Sequence, residues 1–118
     1  MSVIPDIYDI KIYRGADFSV TFTLKDGDGV AIDLSGFTIT STARTALERD
    51  ATEIVTFANT LTGDGSGGIF VMSLTQTETL ALDPQKGHYD VLFDDGSGLY
   101  DYYIKGQVDI FDTLTAIP

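Results

Sequence analysis

Hydrophobic and polar residues alternate along much of the chain. In ADFSVTFTLK (16–25), Phe18, Val20, Phe22 and Leu24 fall on one side, while Ser19, Thr21, Thr23 and Lys25 fall on the other. A period of two marks a strand with one buried face, because successive side chains of extended backbone point opposite ways. The same beat returns at Phe37 and Ile39 of FTITSTAR, at Phe70, Met72 and Leu74, and at Tyr89, Val91 and Phe93. IYDIKIYR puts Ile10 and Ile12 on one side, and ATEIVTF is a shorter, weaker strand. The last run is long: Tyr100, Tyr102, Ile104, Val108 and Ile110 share a register that also contains Gly106. A glycine there predicts a bulge or the close approach of a neighbour.

Turn signals separate these runs. DGDG (26–29) and DDGSG (94–98) read as hairpin loops, where Gly accepts positive φ and Asp bonds its own backbone. NTLTGDGSGG reads as a longer exposed loop. TQTE (75–78) fits a capping box and predicts one short helical turn that Asp83-Pro84 ends. TALERDATEI could form a second short helix, but a hairpin turn around Glu48 to Asp50 suits the neighbouring strands better.

About seven to eight short strands with turns between them predict an all-β fold, an antiparallel β-sandwich. The stretch LALDPQKGHYDVLF (80–93) sharpens this expectation. In immunoglobulin-like sandwiches a helical turn crosses between the sheets and delivers a tyrosine near the start of the next strand. Its ring packs in the core and its hydroxyl bonds backbone upstream. Leu80, Asp83, Gly87, Tyr89 and Val91 follow that pattern, which makes Tyr89 a structural tyrosine corner. With no cysteine and no tryptophan, the chain is not an antibody-type domain.

Composition narrows the function classes. A chain of 118 residues is expected to form one domain, 1–118, with short tails at both ends. The absence of cysteine leaves no thiol nucleophile, thiolate metal site or disulfide. Neither a signal peptide nor a membrane-spanning run is legible. Eighteen acidic against seven basic residues give a net charge of −11, which disfavours nucleic acid and anionic membranes as partners.

Catalytic chemistry is hard to find. GDGSGG (63–68) matches the dinucleotide glycine pattern, yet a strand follows it where a helix is required. Asp26, Asp28, Asp94 and Asp95 could offer oxygen ligands to Ca²⁺, but they lack EF-hand spacing and suit hairpin turns. His88, the only histidine, alternates away from Tyr89 toward an outer face, and no serine stands on a nucleophile elbow. Nothing marks a pair among the acids. A non-enzyme without metal or cofactor is expected. Tyr103 and Asp101 fall outside the core register and are candidate interface or sugar-stacking residues. Apolar Val3, Ile4, Leu114 and Ile117 in the tails are candidate docking residues.

The pieces YDIKIYRGADFSVTFTLKD, VAIDLSGFTITSTAR, GIFVMSLTQTETLAL, GHYDVLF and KGQVDIFDTLT follow one another along the chain. Over residues 7 to 115 their order resembles a family of small bacteriophage virion proteins, in particular the N-terminal immunoglobulin-like domain of phage upper baseplate proteins. The resemblance implies a non-catalytic structural protein of the virion, assembled in the host cytoplasm. It would be a tail or baseplate adaptor that contacts other virion proteins and links to receptor-binding fibres. A capsid decoration protein on the major capsid protein is the alternative, and a glycan-binding module using Tyr103 and the glycine-rich loops is a third. A homo-oligomer within the assembly is compatible with each.

Overall fold

The computed structural model describes residues 6–114, so Val3, Ile4 and Ile117 lie outside the described residues. The alternating runs become strands: β1 (Asp6–Ile7), β2 (Ile10–Tyr13), β3 (Phe18–Thr23), β4 (Thr38–Arg44), β5 (Glu53–Leu61), β6 (Ile69–Leu74), β7 (Gln85–Asp94) and β8 (Tyr100–Phe111). One helical turn, α1 (Gln76–Leu80), precedes β7. The fold is an all-β, immunoglobulin-like sandwich.

Hydrogen bonding runs β1-β8-β7-β4-β5-β6-β3, with β2 also pairing with β8. The path folds into two layers at β5. Its first half pairs with β4, from Arg44↔Glu53 to Ser41↔Phe57, and its second half pairs with β6, from Ala58↔Ser73 to Leu61↔Phe70. β5 therefore continues past Phe57 through Asn59 to Leu61, residues whose sequence reads as part of a loop. Because each half faces a different sheet, the strand carries no single alternation to read. The sandwich is also not wholly antiparallel, because β1 and β2 run parallel to β8 along its outer edge.

Aromatic rings join the layers. Phe70 of β6 meets Phe93 of β7 edge-on at 5.5 Å and stacks on Phe22 of β3 at 5.2 Å. Such pairs add about 0.5 to 1.5 kcal/mol beyond the area they bury. Ile12, Met72, Val91 and Val108 are fully buried around them. Ile32 and Leu34 join the core although only an isolated Lys25↔Ala31 bridge precedes them. The DGDG hairpin is therefore a short bridge and not a joint between two full strands.

The loop of 63–68 is packed. Gly65 accepts the Leu34 N–H at 2.8 Å and Gly68 accepts the Leu24 N–H at 2.8 Å. A Cβ on Gly68, at φ +73°, would stand 2.6 Å from the Leu24 oxygen. These glycines let one loop lie on the next.

The expected capping box is present: the Glu78 N–H donates to Thr75 Oγ1, and the Thr75 N–H donates to Glu78 Oε1 at 2.9 Å. Thr79, fully buried, ties α1 to the β2–β3 turn, donating to the Ala16 carbonyl and accepting from the Gly15 N–H. Tyr89 is buried and its hydroxyl donates to the Tyr8 carbonyl. The tyrosine corner thus closes on the break between β1 and β2 and not on the adjacent helical turn.

Gly106 makes this closure possible. It lies opposite Tyr89, and a Cβ on it would stand 2.1 Å from the Tyr8 oxygen. With no side chain there, the Tyr8 carbonyl turns inward over β8 to meet the phenol. Asp9 fixes the same crossing by accepting the Gln107 N–H at 2.9 Å.

Candidate functional site

An open groove of about 570 Å³ lies on the outer face of the β4–β7–β8 sheet, overhung by the β4–β5 loop. Strand register sets its walls. Tyr102, Leu92 and Thr40 form one cross-strand row, and Lys105, Asp90 and Thr42 form the next. His88 and Arg44 stand opposite each other one step further along. All these side chains alternate with the core positions Tyr89, Val91 and Phe93, so burying the latter turns the former outward.

The overhanging loop is the expected hairpin turn. The Thr45 N–H donates to the Thr52 carbonyl at 3.0 Å, and the Ala51 N–H to the Glu48 carbonyl at 3.1 Å. Arg44 braces it by donating from Nη1 to the Ala51 carbonyl at 3.0 Å. Leu47 and Arg49 are thereby held at the groove mouth, with Leu47 82% exposed.

The electrostatics run against the rest of the molecule. Three of the seven basic side chains, Arg44, Arg49 and Lys105, line the groove together with the only histidine. Among the described residues the salt bridges are Arg14–Asp112 and Lys86–Asp109, both elsewhere. Glu48 also lines the groove, and so does Asp90. Partial burial pushes its carboxyl above the ordinary value, and Arg49 and Arg44 pull it back. The groove thus offers cationic groups that no internal carboxylate neutralises by contact, beside apolar Leu47, Leu92 and Tyr102. That combination can hold an anionic, partly apolar ligand.

A smaller cleft of about 160 Å³ between β1 and β3 is lined by Ile7, Tyr8, Phe22, Thr23, Leu24 and Ile104, and carries no charged side chain.

The residues singled out from sequence separate. Tyr103 is buried, its ring 5.0 Å from that of Phe93, and its hydroxyl donates to Asp101 Oδ2 at 3.0 Å. Burial first, and then Asp101, pushes its phenol above the ordinary value. The expectation of an outward Tyr103 and inward Tyr100 and Tyr102 is corrected: those two are 61% and 40% exposed. The cause is a bulge. Val91 pairs with Ile104 but Leu92 pairs with Tyr102, so Tyr103 is an extra residue and the alternation of β8 reverses across it. A buried Tyr103 offers no ring face to a sugar.

Asp101 is exposed, in keeping with its outward register, and Leu114 is exposed as well, but neither lines the groove. His88 faces outward and does line it. Of the four candidate turn aspartates, Asp26, Asp94 and Asp95 are occupied by nearby backbone, Asp94 Oδ1 accepting from the Gly96 N–H at 2.9 Å. Asp26 Oδ1 accepts from the Asp28 and Val30 N–H groups, and Asp95 Oδ1 from those of Ser97 and Leu99. The Ser97 bonds hold the Asp95 carboxyl below its ordinary value. Among the described residues no three His, Asp or Glu side chains gather as metal ligands.

Arg44, Arg49, Asp90, Leu92 and Lys105 were missed. Alternation alone places Asp90 and Leu92 outward, but their meeting with Arg44 and Lys105 depends on which strands pair.

No family pattern matches the chain, and no curated protein matches it. Among solved structures it is similar to the immunoglobulin-like domain of mouse leukocyte-associated immunoglobulin-like receptor 1, crystallised as a strand-swapped dimer. The two share 11% identity at a TM-score of 0.48, over 94% of this chain and 95% of that one.

Proposed function

We propose that this chain is a non-catalytic structural part of a bacteriophage particle, an adaptor that docks on the tail or baseplate and links receptor-binding fibres to it. The resemblance over residues 7 to 115 supplies the setting. The observation that carries the docking role is the outer face of β4, β7 and β8. It is broad and open, and it offers Arg44, Arg49 and Lys105, none of them in a salt bridge among the described residues, beside exposed Leu47 and Tyr102. A face of that form suits a protein partner better than an enclosed reaction.

Immunogold labelling of purified particles from the encoding phage, with an antibody to this chain, tests the assignment. Gold at the tail end is the expected result. Gold over the head would replace the adaptor with capsid decoration, and unlabelled particles, intact and opened, would sink the virion assignment.

A further inference from the structure

We infer that the groove between the β4–β5 loop and the outer face of β7 and β8 receives an extended acidic segment of another protein. Its carboxylates would meet Arg44, Arg49 and Lys105, while its apolar side chains would rest on Leu47, Leu92 and Tyr102. The inference rests on reading this face as a docking surface, and not on the particle to which the protein belongs.

The first argument is charge. A molecule of net charge −11 has carboxylates to spare for every cation, yet these three form no salt bridge among the described residues. Leaving them so is useful where an anion from outside completes the pairing, because interfacial charge complementarity fixes partner choice and register.

The second is shape. From Thr40 to Arg44 the groove follows β4 for roughly 13 Å, and three strands make it roughly 10 Å wide. That admits an extended chain of about four residues lying on the sheet. Thr40 and Thr42 line the same wall and supply hydroxyls able to bond its backbone or side chains.

The third argument separates a peptide from a polyanion. A nucleic acid or sulfated polysaccharide would bring dense negative charge along its whole length against the acidic remainder of the molecule. A peptide confines its charge to the few carboxylates that the three cations can meet. Glu48 and Asp90 in the lining add selectivity, since they repel a ligand that is negative at every position.

The test is amide chemical-shift titration of the isotope-labelled full chain. The probe is a capped synthetic peptide of about eight residues alternating Glu and Val, a length that overhangs the groove at both ends. Shifts at Thr42, Arg44, Arg49, His88, Asp90 and Lys105 are expected. The same peptide with Gln for every Glu should bind at least about tenfold more weakly. The charge-reversed double variant Arg49→Glu/Lys105→Glu should lose binding while its dispersed amide spectrum shows that it stays folded, even though the added negative charge lowers its melting temperature. If that variant fails to fold, Arg49→Gln and Lys105→Gln are tested singly and should each weaken binding. Absence of shifts at millimolar peptide, equal binding of the Gln peptide, or shifts mapping to another face would overturn the inference. So would equal or tighter binding of a heparin oligosaccharide at these residues, which would make the groove a polyanion site. A concentration-dependent dimer lost in the double variant would reassign the groove to self-association. Particle labelling can fail while the titration succeeds, so the two proposals fall separately.

Discussion

At the scale of single residues, two positions hold the N-terminal crossing in place. The Tyr89 hydroxyl donates to the Tyr8 carbonyl inside the sandwich. Removing it in Tyr89→Phe strands that acceptor and should cost about 1 to 3 kcal/mol in chemical denaturation. The phenol also carries a pH signature. Burial, then the neighbouring Tyr8 and Asp9, raises its ionisation well above the ordinary 10.0. Its stabilisation is therefore complete below pH 10.0 and is lost as pH rises beyond that value, because only the unfolded chain readily gives up the proton. Stability measured from neutral to strongly alkaline pH should fall less steeply in Tyr89→Phe than in the parent; parallel curves would mean the phenol is not buried as described. Gly106 is the second position. Gly106→Ala would drive a methyl group against the Tyr8 carbonyl at 2.1 Å, so backbone must move. We expect a loss of about 2 to 4 kcal/mol by denaturant melt, which falls among the largest single-residue effects.

At the scale of elements, what the sequence revealed was whatever lies within one strand. Phe18, Val20, Phe22 and Leu24 all pack toward the core, and the turns at 94–98 and 75–78 formed with the side-chain bonds their residues imply. Two errors have one origin, namely that partner strands are remote in sequence. The β8 bulge at Tyr103 answers a mismatch with β7, and the length of β5 follows from its second partner, β6. The groove was hidden for the same reason, since Arg44, His88 and Lys105 come together only through pairing across three strands. Where an element is self-contained, its energetics can be forecast. Phe22 stacks on Phe70 and meets Tyr8 edge-on at 5.3 Å. Phe22→Ala should cost about 3 to 5 kcal/mol by thermal or urea denaturation. An unchanged melting temperature would mean that β3 presents its other face to the core.

At the scale of the whole molecule, charge sets two opposing responses to salt. Eighteen acids face seven bases, and among the described residues only two cations close a salt bridge. One of these bridges spans 3.9 Å and starts from a largely exposed lysine, so local pairing relieves little of the repulsion. Screening should therefore favour the folded state, because the compact chain holds its negative charges closer together than the unfolded one. Raising NaCl from about 0.05 M to about 0.5 M shortens the screening length from roughly 14 Å to roughly 4 Å. The melting temperature should rise over that range, as followed by circular dichroism. A fall would show that attractive pairs dominate the fold after all. The groove responds with the other sign. Its contacts with an acidic peptide are attractive, so the same salt should weaken binding while it strengthens the fold. A parallel loss of both would attribute weaker binding to damage of the sandwich. Opposite trends would place the attraction in the groove itself, where Arg44, Arg49 and Lys105 face outward from an otherwise acidic protein.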